Sequence, residues 1–295
     1  MFYKVRDTIR QNLLWFFPKV ITHKMQYRSE LGKKLNLNKP LDFNEKLQYL
    51  IVYKYGKHEG ALADKHLVKD YVEGLKINDL HIPKTLAVYK NSDHINLDEL
   101  PNRFVLKCNH GASMNIIVKD KKTADWKTIR EKLERWMKTD FGFAMESFEL
   151  HYRDIPRKII AEKYMKDGNL EDLQDYKFYC FHGKPVYCQV IGSRTTNETI
   201  DFFDMDWNHM PFTGLITKNS NETFSTKEIP RPKTLDEMIR AAESMSKDFS
   251  FVRVDLYEIN GKMYFGEMTF TPGSGSGSFR PDSADFELGE MLRLT

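Results

Sequence analysis

An arginine and two acids near the C-terminal end of the chain are spaced for phosphate and metal chemistry: Arg253-Val254-Asp255, then Glu267-Met268-Thr269-Phe270-Thr271-Pro272-Gly273. Hard divalent cations prefer carboxylate oxygens, and a guanidinium presents a flat fork that neutralises phosphoryl oxygens. Together these groups suit a magnesium-bound triphosphate. Residues 251–257 and 262–268 read as strands joined at Asn260-Gly261, a pair favoured in two-residue hairpin turns. Side-chain alternation puts Arg253 and Asp255 on one face, and Glu267 and Thr269 on one face. Whether the two faces coincide turns on a single residue. A strict two-residue turn sets Asp255 opposite Gly266 and aims Glu267 away, whereas a one-residue bulge or a three-residue loop aligns the acids. The aligned register is the expectation; the plain alternative is a solvated hairpin face, ordinarily polar in antiparallel sheets.

Upstream, the strand-like run Phe104-Val105-Leu106-Lys107 leads into Cys108-Asn109-His110-Gly111-Ala112-Ser113-Met114-Asn115. The small residues Gly111, Ala112 and Ser113 would let backbone amides approach anionic oxygens, while Lys107 adds a point charge. Without a Gly-Lys-Ser/Thr ending, this is not a Walker loop. Ala161-Glu162-Lys163-Tyr164-Met165 closes another apolar strand, whose backbone could hydrogen-bond the edge of a planar base.

Periodicity supplies the elements that must position these groups. Residues 1–60 read as a basic helical cap that includes a helix over 43–53, where Leu47, Leu50 and Ile51 share a stripe. A second helix is expected over 61–75, with Leu67, Val68, Val72 and Leu75 on one side. Strands are expected at 82–89 with Pro83 at the start, at 104–107, 115–118 and 158–164, and at 176–181 and 185–191 about His182-Gly183. Thr123 reads as the cap of a charged helix over 124–138, and Thr234 opens a helix lined by Leu235, Met238, Ile239, Ala242 and Met245. Residues 213–233, with Pro230 and Pro232, read as a surface loop.

The order of these pieces resembles the ATP-grasp ligases, and within them the branch similar to the teichuronopeptide-biosynthesis protein TupA. In that superfamily a lysine-ended strand with a glycine-rich loop, a hinge containing glutamate, an Arg-x-Asp strand and a Glu-x-Asn-x-x-Pro-Gly strand follow one another. Lys107 with Gly111 to Asn115, Glu162 to Met165, Arg253 with Asp255, and Glu267 to Gly273 match in turn. Asn44-Glu45-Lys46-Leu47, Asp175-Tyr176-Lys177-Phe178 and Asp201-Phe202-Phe203-Asp204-Met205-Asp206-Trp207 look like the TupA-like branch. Two positions depart from the wider pattern: Thr269 stands where it has Asn, and Lys177 where many relatives carry an arginine.

The resemblance implies an α+β ATP-grasp fold, with ATP held between two α+β lobes behind an N-terminal helical cap. Its expected divisions are a cap and pre-grasp region over 1–100, a small lobe with a phosphate lid over 101–165, and a lobe with the metal site over 166–295. It further implies a carboxylate–amine ligase that forms an amide through an acyl phosphate, using ATP and Mg2+. The acid would be a uronic or related sugar acid of capsular or extracellular polysaccharide, free or sugar-linked, and the partner an amine. By the same resemblance, Lys65, Lys107, Gly111, Ala112, Ser113, Glu162, Lys163, Tyr164 and Met165 would bind ATP, and Asp255, Glu267 and Thr269 the metal. Arg253, Lys107 and Lys177 would serve catalysis, and His110, Arg194, Gly273 and Ser274 the substrates. Two rival readings stand beside this one. Asp204-Met205-Asp206 has the D-x-D form of a metal-dependent glycosyltransferase, although the nucleotide-binding βαβ half expected upstream is not evident. A non-catalytic scaffold is the other, and the presence of Lys107, Arg253, Asp255 and Glu267 argues against it.

Composition sets outer bounds. With 41% hydrophobic and 13% aromatic residues in 295, the chain has enough apolar surface to offset its entropy on folding. Its 45 basic and 42 acidic residues nearly cancel, leaving +3, which gives no argument for nucleic acid. Cys108, Cys180 and Cys188 lack metal-type spacing and suggest free thiols in a reducing compartment, hence the cytoplasm. No run approaches the roughly 20 apolar residues that span a bilayer. Within residues 1–20, Phe2, Val5, Ile9, Leu13, Phe16 and Phe17 fall near helical spacing among basic residues. They suit a helix packed on the body of the protein, or one lying on the inner face of a membrane. His182 reads as a turn residue; His110, beside the expected lid, is a candidate base for the amine.

Overall fold

The protein, described by a computed structural model over residues 18–141, 148–168, 173–192, 199–216, 224 and 228–294, folds around two mainly antiparallel sheets. The apolar stretch expected over 1–20 is described only from Pro18, and Arg194 also lies outside the described residues. No described helix is long and apolar enough to cross a membrane.

Helices α1 (Lys19–Leu31) and α2 (Phe43–Tyr53) come first. Asp42 starts α2 by accepting the Glu45 amide at 2.7 Å, and Leu47, Leu50 and Ile51 are buried. The helix expected over 61–75 is instead two, α3 (Lys57–Ala63) and α4 (Leu67–Gly74). Asp64 leaves the helical region at ψ 112°, and its carboxylate accepts the amides of His66 and Leu67. The strand expected at 82–89 starts late, at Thr85. β1 (Leu80–His81) and β2 (Thr85–Tyr89) join different sheets on either side of Pro83, which has no amide proton for a ladder.

β3 (Phe104–Cys108), β4 (Asn115–Val118) and β5 (Ile159–Lys163) complete a four-stranded sheet ordered β2-β5-β3-β4. Packed on it is α5 (Trp126–Lys138), capped by Asp125 rather than Thr123. Residues 120–124 form a turn in which Asp120 accepts the amides of Lys122 and Ala124, so the helix starts later.

The larger sheet contains β6 (Asp175–Phe181), β7 (Lys184–Gly192) and β8 (Thr199–Phe203). After β9 (Thr213–Ile216) and α6 (Leu235–Ser246) come its remaining long strands, β10 (Phe251–Ile259) and β11 (Lys262–Thr269). Its order is β1-β11-β10-β6-β7-β8, with only β1 parallel to its neighbour. β12 (Ser278–Arg280) and α7 (Ser283–Met291) close the chain. The loop expected from 213 thus begins as strand β9, paired with β12. Gly214 allows it: a Cβ there would stand 2.2 Å from the Phe279 ring.

Both faces of the larger sheet are covered, α4 and α6 on one and α2, α7 and β12 on the other, so all seven residues of β6 are buried. Phe43 anchors the second face, its ring 4.9 Å from that of Phe251 and 5.9 Å from that of Phe181, both edge-on. Fully burying one such side chain is worth roughly 1.5–3 kcal/mol.

The β10–β11 hairpin has the expected two-residue turn, with Asn260 at φ 52° and Gly261 at φ 68°. Its register then slips by one residue. Leu256 pairs with Phe265 but Asp255 pairs with Glu267, leaving Gly266 as the extra residue of a bulge. Only glycine fits there, because a Cβ would lie 2.7 Å from the Asp255 carbonyl oxygen and 2.9 Å from the Tyr257 ring. The bulge brings Glu267 opposite Asp255.

Candidate functional site

Strand register assembles the charged centre. Lys177 on β6 lies directly opposite Asp255, and Asp255 opposite Glu267. Arg253 grips Asp255 with two parallel bonds, Nε donating to Oδ1 and Nη2 to Oδ2, both at 2.7 Å. Nη2 also donates to Thr269 Oγ1 at 3.1 Å and stands 3.5 Å from Glu267 Oε1. Lys177 pairs with Asp255 and sits 3.5 Å from Asp175. From α4's side, Lys65 Nζ donates to the Gly111 carbonyl at 2.7 Å and lies 3.6 Å from Glu267 Oε2. Arg253, Lys177 and Lys65 therefore converge on Glu267 and Asp255.

The two acids differ in access. The Asp255 side chain is 1% exposed, and it accepts from Arg253 twice and from Lys177 once. Glu267's side chain is 38% exposed, with its cations at looser distances. Burial would raise the Glu267 pKa, but Lys65, then Lys177, Arg253 and Lys107, outweigh it and hold the carboxyl down at about 2. Burial likewise opposes charge on Arg253, and Asp255 more than offsets that, so the guanidinium's pKa rises.

Across the cleft, Glu162 on β5 is clamped by two lysines, Lys107 on β3 and Lys69 on α4, each at 2.5 Å. Burial would raise its pKa, but Lys107 and Lys69 bring it below the usual carboxylate value. Lys69 is fixed further by the Pro83 carbonyl and Thr85 Oγ1, both at 2.8 Å. Between the sheets lies a cavity of about 240 Å³. Its lining includes Lys69, Lys107, Glu162 and Lys163 to Met165 from one side, and Asp175, Tyr257, Phe265 and Gly266 from the other.

Of the residues expected to bind ATP, Lys107, Glu162, Lys163, Tyr164 and Met165 line this cavity, while Lys65, Gly111, Ala112 and Ser113 do not. Gly111 is packed under Phe141, whose ring would be 2.5 Å from an added Cβ. Ala112 and Ser113 are exposed. His110 is 1% exposed, with Nε2 3.1 Å from the Trp136 carbonyl at the end of α5. Gly273 and Ser274 form a tight turn after β11 at φ 57° and 54°. Ser274 and Thr271 both donate to the buried Glu149 carboxylate, and Gln48 Nε2 donates to the Ser274 carbonyl at 2.8 Å and the Gly275 carbonyl at 3.0 Å.

Asp204 is engaged in a turn, accepting from the amides of Asp206 and Asn208 and from the Asn208 side chain. His182 accepts the Arg293 amide at 3.0 Å from its place in the β6–β7 turn. Lys69 and Glu149 escaped the sequence reading, and Asp175 entered it only within a family-like phrase. Lys69 did carry a signal, a lysine between Val68 and Val72 on the apolar side of α4, whereas Glu149 sits in no recognisable motif.

A small antiparallel sheet facing a larger one across a cleft edged with lysines, with an arginine and acids on the larger sheet, is the architecture of an ATP-grasp protein. The chain belongs to the TupA-like ATP-grasp family, whose family model matches residues 45–293. Among solved structures, it is similar to D-alanine–D-alanine ligase from Bacillus anthracis at 18% identity and a TM-score of 0.48, over 80% of this chain and 67% of that one. The same enzyme complexed with ATP matches at 19% identity and 0.44, over 78% of this chain; the chain spans 62% of that ligase's length. An L-amino acid ligase from Bacillus licheniformis matches at 11% identity and 0.41, over 74% of this chain and 43% of that one. No curated protein matches the chain.

Proposed function

We propose that the protein is an ATP- and Mg2+-dependent carboxylate–amine ligase acting on a small-molecule or sugar-linked acid. The observation that carries this reading is the convergence of Arg253, Lys177 and Lys65 on an ionised, half-exposed Glu267, opposite a cavity edged by Lys69 and Lys107. Family membership supports the reaction class. One substrate's carboxylate oxygen takes the γ-phosphoryl group and releases ADP; an amine then attacks the acyl carbon, expels phosphate, loses a proton and leaves an amide. Such chemistry needs no protein nucleophile, only orientation and neutralisation of charge.

The donor set fits a hard cation. Glu267 is anionic and reachable, whereas Asp255 has already accepted three hydrogen bonds of the roughly four a carboxylate can take. Among the described residues no group of three or more His, Cys, Asp or Glu is disposed to hold a metal, which suits Mg2+ carrying phosphate oxygens and water as further ligands. Glu267 would hold the ion, with Thr269 beside it, and Asp255 would orient Arg253 and Lys177. When bound, Mg2+ supplies neutralisation of phosphoryl charge. The backbone of Lys163 to Met165 suits a planar base, while Lys69 and Lys107 suit phosphates. Arg253 would stabilise charge building on the acyl phosphate.

By the family's association, the acid is a uronic or related sugar acid of capsular or extracellular polysaccharide, handled in the cytoplasm or at the inner membrane face through residues 1–20. The working division is a cap over 1–100 and lobes over 101–165 and 166–295. The test is an ADP-release screen of uronic acids and nucleotide-linked uronates against a panel of amines, with the amide read by mass. Release of a nucleoside diphosphate from a sugar donor would instead favour glycosyl transfer. If Mg-ATP gives neither calorimetric heat nor a thermal shift, the ligase reading fails.

A further inference from the structure

A second cavity, of about 480 Å³, lies where α3 meets the short helix Leu150–Tyr152; it has twice the volume of the one between the sheets and shares no lining residue with it. That size falls within the range of small-molecule sites. Lys57 and Ala61 of α3, Leu67 of α4, and His151, Asp154 and Ile155 line it. The wall is built closely: a Cβ on Gly60 would stand 2.4 Å from the His151 carbonyl oxygen, so α3 and the short helix meet backbone to backbone.

Its polar groups fall into two kinds. Asp64, also in the wall, is already engaged by the protein, accepting from Asn109 at 2.9 Å and from two backbone amides. Lys57 and Asp154 are exposed and, among the described residues, stand in no ion pair, so each offers a whole charge of opposite sign. His151 is 4% exposed, and among the described residues neither ring nitrogen has a hydrogen-bond partner. Burial pushes its pKa down to about 3, leaving a neutral imidazole with one donor and one acceptor to give.

We propose that this cavity binds a small zwitterion of the amino-acid type, its ammonium group against Asp154, its carboxylate against Lys57 and its side chain against Ala61, Leu67 and Ile155. Within the ligase reading, on which this further clause rests, the guest is the amine substrate. The helix that carries His151 starts from Glu149, whose carboxylate accepts from Thr271 and Ser274 in the turn after β11, so that helix is tied to the end of the strand that carries Glu267.

Calorimetric titration of the full chain with the proteinogenic L-amino acids tests this, with ethanolamine and acetate as probes that lack one charge. At least one amino acid should bind saturably, and the single-charge probes about tenfold or more weakly. Lys57→Ala and Asp154→Ala, both at exposed positions, should each weaken that binding about tenfold or more while leaving Mg-ATP affinity and the thermal midpoint unchanged. No saturable binding at millimolar concentration, or equal binding by both variants, overturns the assignment. The two readings fail separately. Amino-acid binding without ADP release from any acid sinks ligation and keeps the cavity; ligation with an unaltered amine KM in both variants sinks the cavity.

Discussion

Gly266→Ala adds one methyl group to the position that sets the register of the acids. That methyl would lie 2.7 Å from the Asp255 carbonyl oxygen and 2.9 Å from the Tyr257 ring, well inside van der Waals contact. The obstacle is partly backbone, so it cannot swing aside as a flexible side chain would. Overpacking of this kind costs about 1–3 kcal/mol. Relief is available by closing the bulge, but a strict register pairs Asp255 with residue 266 and turns Glu267 to the other face of the sheet. The variant should therefore lose about 1–3 kcal/mol in urea unfolding and lose Mg-ATP binding by a larger factor than its fraction unfolded explains. Gly261→Ala is the control: it sits at φ 68° with nothing within 4 Å of its Cβ. It should cost about 1 kcal/mol of left-handed strain and leave nucleotide binding intact. The reasoning is refuted if Gly266→Ala keeps both its unfolding midpoint and its Mg-ATP affinity, or if the two variants lose binding alike.

Three further outcomes are expected. Lys69→Met leaves the buried Glu162 with one of its two lysines and should cost on the order of 3 kcal/mol, part of which Glu162→Gln in the same chain recovers; no recovery in denaturant melts argues against the clamp. Asp285 is held up at about 7, by burial first and then by Asp42, so its protonated form is favoured in the folded state. Its contribution is present at acid pH and lost as pH rises from about 4 through 7, so the unfolding midpoint should fall across that window in wild type and fall less in Asp285→Asn. Gln48→Leu removes the donor that fixes the Ser274 and Gly275 carbonyls; ligase assays should show a raised substrate KM with Mg-ATP affinity unchanged, and no change in KM would free that loop from the role given to it.

Much of this architecture could be read from local chemistry. Asn260-Gly261 fixed the hairpin because both residues tolerate positive φ, and Leu47, Leu50 and Ile51 fixed α2 through their spacing. The register of the acids stayed open between two answers, since a bulge is decided by the space around Gly266, which comes from Asp255 and Tyr257 across the strand. Asp64 broke a continuous helical pattern through hydrogen bonds to its own downstream amides and to Asn109, and no apolar periodicity records that. Lys107 and Glu162 were legible as single residues, yet the clamp was not, because Lys69 reaches Glu162 from another element. Gly111 to Ser113 read as a phosphate lid from small residues after a lysine-ended strand; that reading did not foresee Gly111 packed against Phe141.

The side chains of α2 have consequences for how the chain is made. Asn44, Lys46 and Gln48 bond groups between Ser274 and Leu292, partners 226 to 246 residues downstream. During synthesis, the aromatic layer of Phe43, Tyr179, Phe181 and Phe251 therefore has no complete cover until β12 and α7 have left the ribosome. Nascent chains halted before residue 278 should present that layer to chaperones or to each other, so yield in a cell will depend on how fast residues 278–291 are delivered.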